Sequence, residues 1–120
     1  MSKLVQPHGG GSLSPLLLPE IERKEELKRA ATLRPVPMTS RETSDVIMLA
    51  MGAYTPLTGF MGAKDWRGVC AEMKTESGLF WPIPITLSAT RDLAKAIKDD
   101  EEVALVDGET GEIMAVMEVS

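Results

Sequence analysis

His8 is the chain's one histidine and Cys70 its one cysteine, and they lie far apart in sequence. A Cys/His nucleophile pair would need them side by side with an orienting acid. Nothing in their spacing asks for that. A single histidine in a glycine-rich stretch reads as an exposed or hydrogen-bonded residue. Cys70 falls on an apolar helical face with no ligand partner, so a buried, inert thiol is expected. Asp99, Asp100, Glu101 and Glu102 are the densest carboxylates. They could attract a divalent cation, but such a run reads first as a solvated acidic turn. The arginines, Arg23, Arg29, Arg34, Arg41, Arg67 and Arg91, are dispersed. No spacing gathers them into a clamp for a phosphoryl or sulfuryl oxyanion. Gly9, Gly10 and Gly11 could form an anion nest of backbone N–H groups. The stretch lacks the Lys-Ser/Thr ending and the immediate helix of a phosphate-binding loop. Phe80 and Trp81 could stack a nucleobase, but adjacent strand residues point to opposite faces. No catalytic, cofactor-binding or metal-ligating residue is therefore assigned.

The elements that carry these residues follow from periodicity. Residues 1–19 have none and form an N-terminal arm, flexible or strapped down. Residues 20–31 read as a helix, with Glu20 and Glu22 in its first turn and Lys28 and Arg29 near its end, which suits the helix dipole. Leu33–Pro37 is held extended by two prolines and fits an edge strand. Thr39 and Glu42 have capping-box spacing. The helix they start carries Val46, Leu49 and Ala50 on one stripe and stops at Gly52. Trp66, Val69, Cys70 and Met73 fall at i, i+3, i+4 and i+7 of a further helix over 63–74. Ile83, Ile85 and Leu87 alternate as in a strand, an edge or bulged one because of Pro82 and Pro84. Thr90 can cap a short helix over 91–98. Glu102–Asp107 and Glu112–Val119 read as a hairpin around Gly108-Glu109-Thr110-Gly111. On the last strand Ile113, Ala115, Met117 and Val119 share one face. Met114 and Val116 are apolar on the other, which implies a further cover.

Between the two middle helices lies 52–62, Gly-Ala-Tyr-Thr-Pro-Leu-Thr-Gly-Phe-Met-Gly. Three glycines and a proline break regular structure, while Tyr54, Leu57, Phe60 and Met61 are too large and apolar for a solvent loop. Thr55 is expected extended ahead of Pro56. Phe60 and Leu57 are expected to be largely buried, wedged between the flanking helices.

Composition bounds the rest. The chain has 120 residues, 43% of them apolar, and a net charge of −5. One domain with a real core is expected. No apolar run is long enough to span a membrane, no signal peptide is read, and one cysteine fits a reducing compartment, so a cytoplasmic location is expected. The acidic balance and five aromatic residues argue against nucleic-acid or anionic-membrane partners.

The 52–62 stretch resembles the GAFSPLxGFM signature of sulfate adenylyltransferases (ATP sulfurylases), with Tyr54 for the commoner Phe and Thr55 for the commoner Ser. The resemblance extends to Pro7-His8-Gly9-Gly10, to the helix before Gly52, and to Gly78-Leu79-Phe80-Trp81-Pro82-Ile83-Pro84. It implies an α+β fold, a PUA-like β-pseudobarrel with flanking helices and a mostly antiparallel sheet over 20–120, itself incomplete. It also implies a parent enzyme that converts ATP and sulfate to adenosine 5′-phosphosulfate and pyrophosphate, or the reverse, with magnesium. That family builds its active site from a Gln-x-Arg-Asn-Pro segment, a His-x-x-His pair and a Gly-Arg-Asp segment, and this sequence has none of them. The chain is then expected to be a structural portion, inactive alone, partnered by a catalytic domain of the same enzyme in a homo-oligomer. The competing class is a free-standing PUA-like RNA-binding module.

Overall fold

Thr39 begins the central helix as its spacing predicts. Its hydroxyl accepts from the Glu42 N–H at 3.3 Å, and the Glu42 carboxylate accepts from the Thr39 N–H at 2.9 Å. This box starts α2, Ser40–Ala50, in a computed structural model that describes residues 4–120. Residues 1–3 of the expected arm lie outside the described residues. Before α2 come α1, Glu20–Ala30, and β1, Arg34–Met38. After it come α3, Ala63–Glu72, α4, Arg91–Ala96, β2, Glu102–Asp107, and β3, Ile113–Glu118. Gly52 takes φ +81° just beyond α2, a conformation glycine adopts without steric cost.

The sheet has the order β1-β2-β3. β2 and β3 form the expected antiparallel hairpin, with Val103 opposite Met117. β1 runs parallel to β2, with Val36 opposite Leu105. The sheet is therefore mixed rather than mostly antiparallel. Residues 39–101 act as the crossover that a parallel pair requires. The rest of the α+β assignment holds.

One core cluster sits on this sheet: Val36, Met38, Val46, Val103 and Leu105, with Met117 and Val119 packed against it. α2 lies against all three strands and α1 against β3. A bulge at Leu105/Val106 leaves Met114 without a partner between Ile113 and Ala115. Bulges re-aim side chains, and Met114 packs on the same core as Ala115 and Met117. The expected second apolar face of β3 is thereby reduced to Val116, which is half-buried.

A second cluster holds Val69, Trp81 and Ile85, with Tyr54, Leu57, Met61 and Leu79 around it. Phe60 touches both clusters but is only half-buried, as is Leu57, so the wedge is looser than expected. Thr55 lies within a turn closed by the Leu57 N–H donating to the Tyr54 carbonyl at 2.8 Å, and the Thr55–Pro56 peptide is cis. Residues 83–87 form no strand. Pro82 before them and Pro84 within them withhold donors, and the segment instead pins the loop: the Met61 N–H donates to the Ile85 carbonyl at 2.8 Å. The helical face of α3 is real, yet only Val69 on it is buried; Trp66, Cys70 and Met73 are exposed. Cys70 is thus not the buried thiol that its periodicity suggested.

Candidate functional site

Asp45 lies one turn beyond the capping box on α2 and is buried. Burying a carboxylate is costly unless it is fully bonded. Its Oδ2 accepts from Arg41 at 2.8 Å, one helical turn back, and its Oδ1 accepts from the Tyr54 hydroxyl at 3.1 Å. Arg41 also donates to the Thr86 carbonyl at 3.2 Å. The Tyr54 ring meets Trp81 edge-on, centroids 5.9 Å apart, and Trp81 meets His8 edge-on at 5.6 Å. The His8 ring closes the set, its Nε2 2.6 Å from the Phe80 carbonyl oxygen. Arg41, Asp45, Tyr54, Trp81 and the 82–86 segment enclose a shallow cleft of about 630 Å³. This is the chain's most organised polar and aromatic constellation among the described residues. It joins α2, the packed loop, the arm and the proline-rich segment.

The electrostatics commit these groups to one another. Burial raises the Tyr54 phenol above its usual range, and the hydrogen bond to Asp45 raises it further. A phenol so held stays protonated and makes a poor base. Both Asp45 oxygens are occupied, and Arg41 places one donor on Asp45 and one on Thr86 while its side chain stays more than half exposed. Beneath them Glu42 is fully buried. Burial pushes its carboxyl up, but hydrogen bonds from Thr39 and from the Ser88 amide and hydroxyl outweigh that and hold it below the usual range. Glu42 therefore ties the start of α2 to the segment before α4. The Arg41, Asp45 and Tyr54 hydrogen bonds brace α2 against the packed loop and the 82–86 segment.

The residues that sequence reasoning weighed for chemistry are not brought together. His8 is exposed and Cys70 sits on α3. Glu101 pairs with Arg34 at 3.0 Å, and Glu102 pairs with Arg29, which also holds Glu26. The acidic run is thus partly neutralised by two of the dispersed arginines, Arg29 of α1 and Arg34 of β1. No group of three His, Cys, Asp or Glu could hold a metal among the described residues. Gly9, Gly10 and Gly11 all take positive φ, and the Gly10 N–H is spent on the Pro7 carbonyl at 2.8 Å. An anion nest needs alternating handedness and free N–H groups. The Arg41–Asp45–Tyr54 cluster was missed. Arg41 and Asp45 at i, i+4 were a readable signal; the reach of Tyr54 was not.

The profile of the PUA-like domain family matches residues 5–120, and the chain belongs to that family. Within it, the chain corresponds to the N-terminal portion of sulfate adenylyltransferases. It is 57% identical over 120 residues to that of Thiobacillus denitrificans, covering 100% of this chain and 29% of the relative. With that of Syntrophobacter fumaroxidans the identity is 55% over 121 residues, covering 100% and 30%. Among solved structures, a hexameric APS kinase from Thiobacillus denitrificans superposes with a TM-score of 0.80 at 40% identity, covering 98% of this chain and 23% of that one. The chain therefore spans under a third of the curated relatives it matches. No helix among the described residues is long and apolar enough to cross a membrane.

Proposed function

We propose that this chain is the N-terminal scaffold of a sulfate adenylyltransferase. The whole enzyme, in this reading, is a nucleotidyltransferase of sulfur metabolism. It joins ATP and sulfate to give adenosine 5′-phosphosulfate and pyrophosphate, or runs the reverse. The observation that carries this is 57% identity across the full 120 residues with the Thiobacillus denitrificans enzyme. The chain's own part is structural. Its charged and aromatic groups brace one another, so ATP, magnesium and the reacting oxygens belong to a catalytic domain elsewhere in the polypeptide. The parent is read as a cytoplasmic homo-oligomer, a reading supported by the hexameric state of the similar solved structure. A membrane partner is not part of it. The RNA-binding alternative is set aside, because a net charge of −5 with five aromatics offers no basic stacking surface.

The test has two arms. The pure chain, given ATP, sulfate and magnesium, should release no pyrophosphate above blank. Placed in the Thiobacillus denitrificans enzyme instead of the matching 120 residues, it should support adenosine 5′-phosphosulfate formation. Robust turnover by the chain alone, or a folded chimera without activity, overturns the reading.

A further inference from the structure

Residues 63–84, which hold α3 and the turn that returns from it to Trp81, are bonded almost wholly within themselves. The Lys74 N–H donates to the Gly68 carbonyl at 3.3 Å, the Thr75 N–H to the Leu79 carbonyl at 2.8 Å and the Trp81 N–H to the Met73 carbonyl at 2.8 Å. Asp65 accepts from the Glu76 N–H at 2.8 Å, and Lys64 pairs with Glu76 at 3.5 Å. The broad packing of helices on the sheet involves α1 and α2 and not α3. This α3 lobe rests on the body of the fold through side chains: Val69 and Trp81 lie in the cluster on which Tyr54, Leu57, Phe60 and Met61 of the packed loop pack. Its neck is the Met61–Ile85 pair, joined through the Met61 N–H at 2.8 Å and through the Ile85 N–H to the Met61 sulfur at 3.5 Å. Apolar contact is non-directional and does not by itself fix how the lobe sits. Apart from the Trp66 N–H on the Gly62 carbonyl, which starts α3, one hydrogen bond leaves the lobe among the described residues: the His8 Nε2–H donates to the Phe80 carbonyl at 2.6 Å.

His8 belongs to the N-terminal arm, and the far end of the arm is fastened to the body. Gly9 lies at the junction, where an added Cβ would meet Leu79 of the lobe at 3.5 Å and Pro56 of the loop at 3.6 Å. The Ser14 N–H donates to the Thr55 hydroxyl at 2.9 Å. The Leu16 and Leu17 N–H groups donate to the Ala50 carbonyl, at the end of α2, at 3.0 and 3.2 Å. Most arm side chains are exposed, Leu13 and Leu17 among them, so these few directional bonds hold the arm in place. We propose that residues 8–17 are a strap that latches the α3 lobe to the body, and that freeing either end lets the lobe swing out on its Met61–Ile85 neck and uncovers Trp81. Such a motion is a local opening, drawn from the part of the fold with the fewest buried contacts. The sheet cluster takes no part in it.

The chain has two tryptophans, Trp81 buried and Trp66 exposed, so Trp66→Phe leaves a fluorophore that reads the lobe alone. In that background His8→Ala and Ser14→Pro should each raise acrylamide quenching of Trp81 about two- to tenfold, the range for one hydrogen bond lost from an opening equilibrium. Ser14→Pro removes a donor on the body side and leaves His8 in place, so its effect reports the strap and not the missing imidazole. The two ends act in series, and the double variant should open no further than the larger single one. Amide exchange at Val103 and Leu105 should stay unchanged in all three. Unchanged quenching in Ser14→Pro overturns the strap, whatever His8→Ala does. Quenching that rises together with exchange at Val103 and Leu105 overturns it too, since lobe and sheet would then be one cooperative unit. A double variant whose effect is the product of the two singles also overturns it: His8 and Ser14 would be independent contacts.

Discussion

The sheet cluster and the α3 cluster use similar residues and end in different states. Val103 and Leu105 are almost wholly buried because two strand neighbours and α2 enclose them, and Val36 on the outer strand β1 is covered by β2 and α2. Trp66 and Met73 share a face with buried Val69 and remain about half exposed. On the central strand β2 the sheet and α2 supply neighbours on three sides of each inward side chain. A lone helix against a loop supplies them on one. Hydrophobic periodicity states which face an element prefers to hide; it does not state how much cover the rest of the chain provides.

Substitutions can break this contrast. Leu105→Ala should cost most, about 2–5 kcal/mol as for a deletion in a closed core, and denaturant titration should show a large drop in midpoint. Phe60→Ala touches both clusters from a half-buried position, so about 2 kcal/mol is expected, below the ~3–5 kcal/mol of a fully buried Phe. A loss as large as that of Leu105→Ala would show that the loop, not the sheet, is the keystone. Trp66→Ala should shift stability by less than about 0.5 kcal/mol, as at other open surface sites. A larger effect would mean that the exposed face of α3 is covered in solution.

Glu42 sharpens the comparison through pH. Its carboxyl is held low in the folded state, so its stabilisation is complete above the unfolded carboxylate range, near pH ~4.3, and is lost as pH falls through the folded value. Glu42→Gln should cost about 1–2 kcal/mol at neutral pH, as for charge-assisted hydrogen bonds. Below pH ~4 the difference from the native chain should shrink. Melting curves across pH 3–7 test this; a constant offset would show that ionisation is irrelevant there.

What the sequence made legible was local. The Thr39–Glu42 box, the Thr90 cap, the stop at Gly52 and the Glu102–Val119 hairpin each depend on residues a few positions apart. The resemblance carried by Tyr54–Met61 pointed to the right family. What escaped was set by distant partners. The parallel β1–β2 pairing, the burial of Asp45 under Tyr54 and the turn of Met114 into the core all depend on contacts that no window contains. The Ile83–Leu87 alternation did not become a strand: Pro84 has no N–H to give, and the Ile85 N–H goes to the Met61 sulfur rather than to a neighbouring strand. Cys70 followed a sound helical pattern onto a face that nothing covers.

The β1–β2 register also bears on how the chain is made. Arg34 pairs with Val103 and Met38 with Asp107, so the sheet's central contacts join residues from opposite halves of the chain. Non-local pairing of this kind slows folding. On a ribosome, β1 and α2 emerge well before the strand that buries Val36. Until β2 arrives, Val36, Met38 and Val46 have no sheet to close on. The prolines of β1 are then protective during synthesis itself, since they make the earliest strand a poor partner for any other nascent copy.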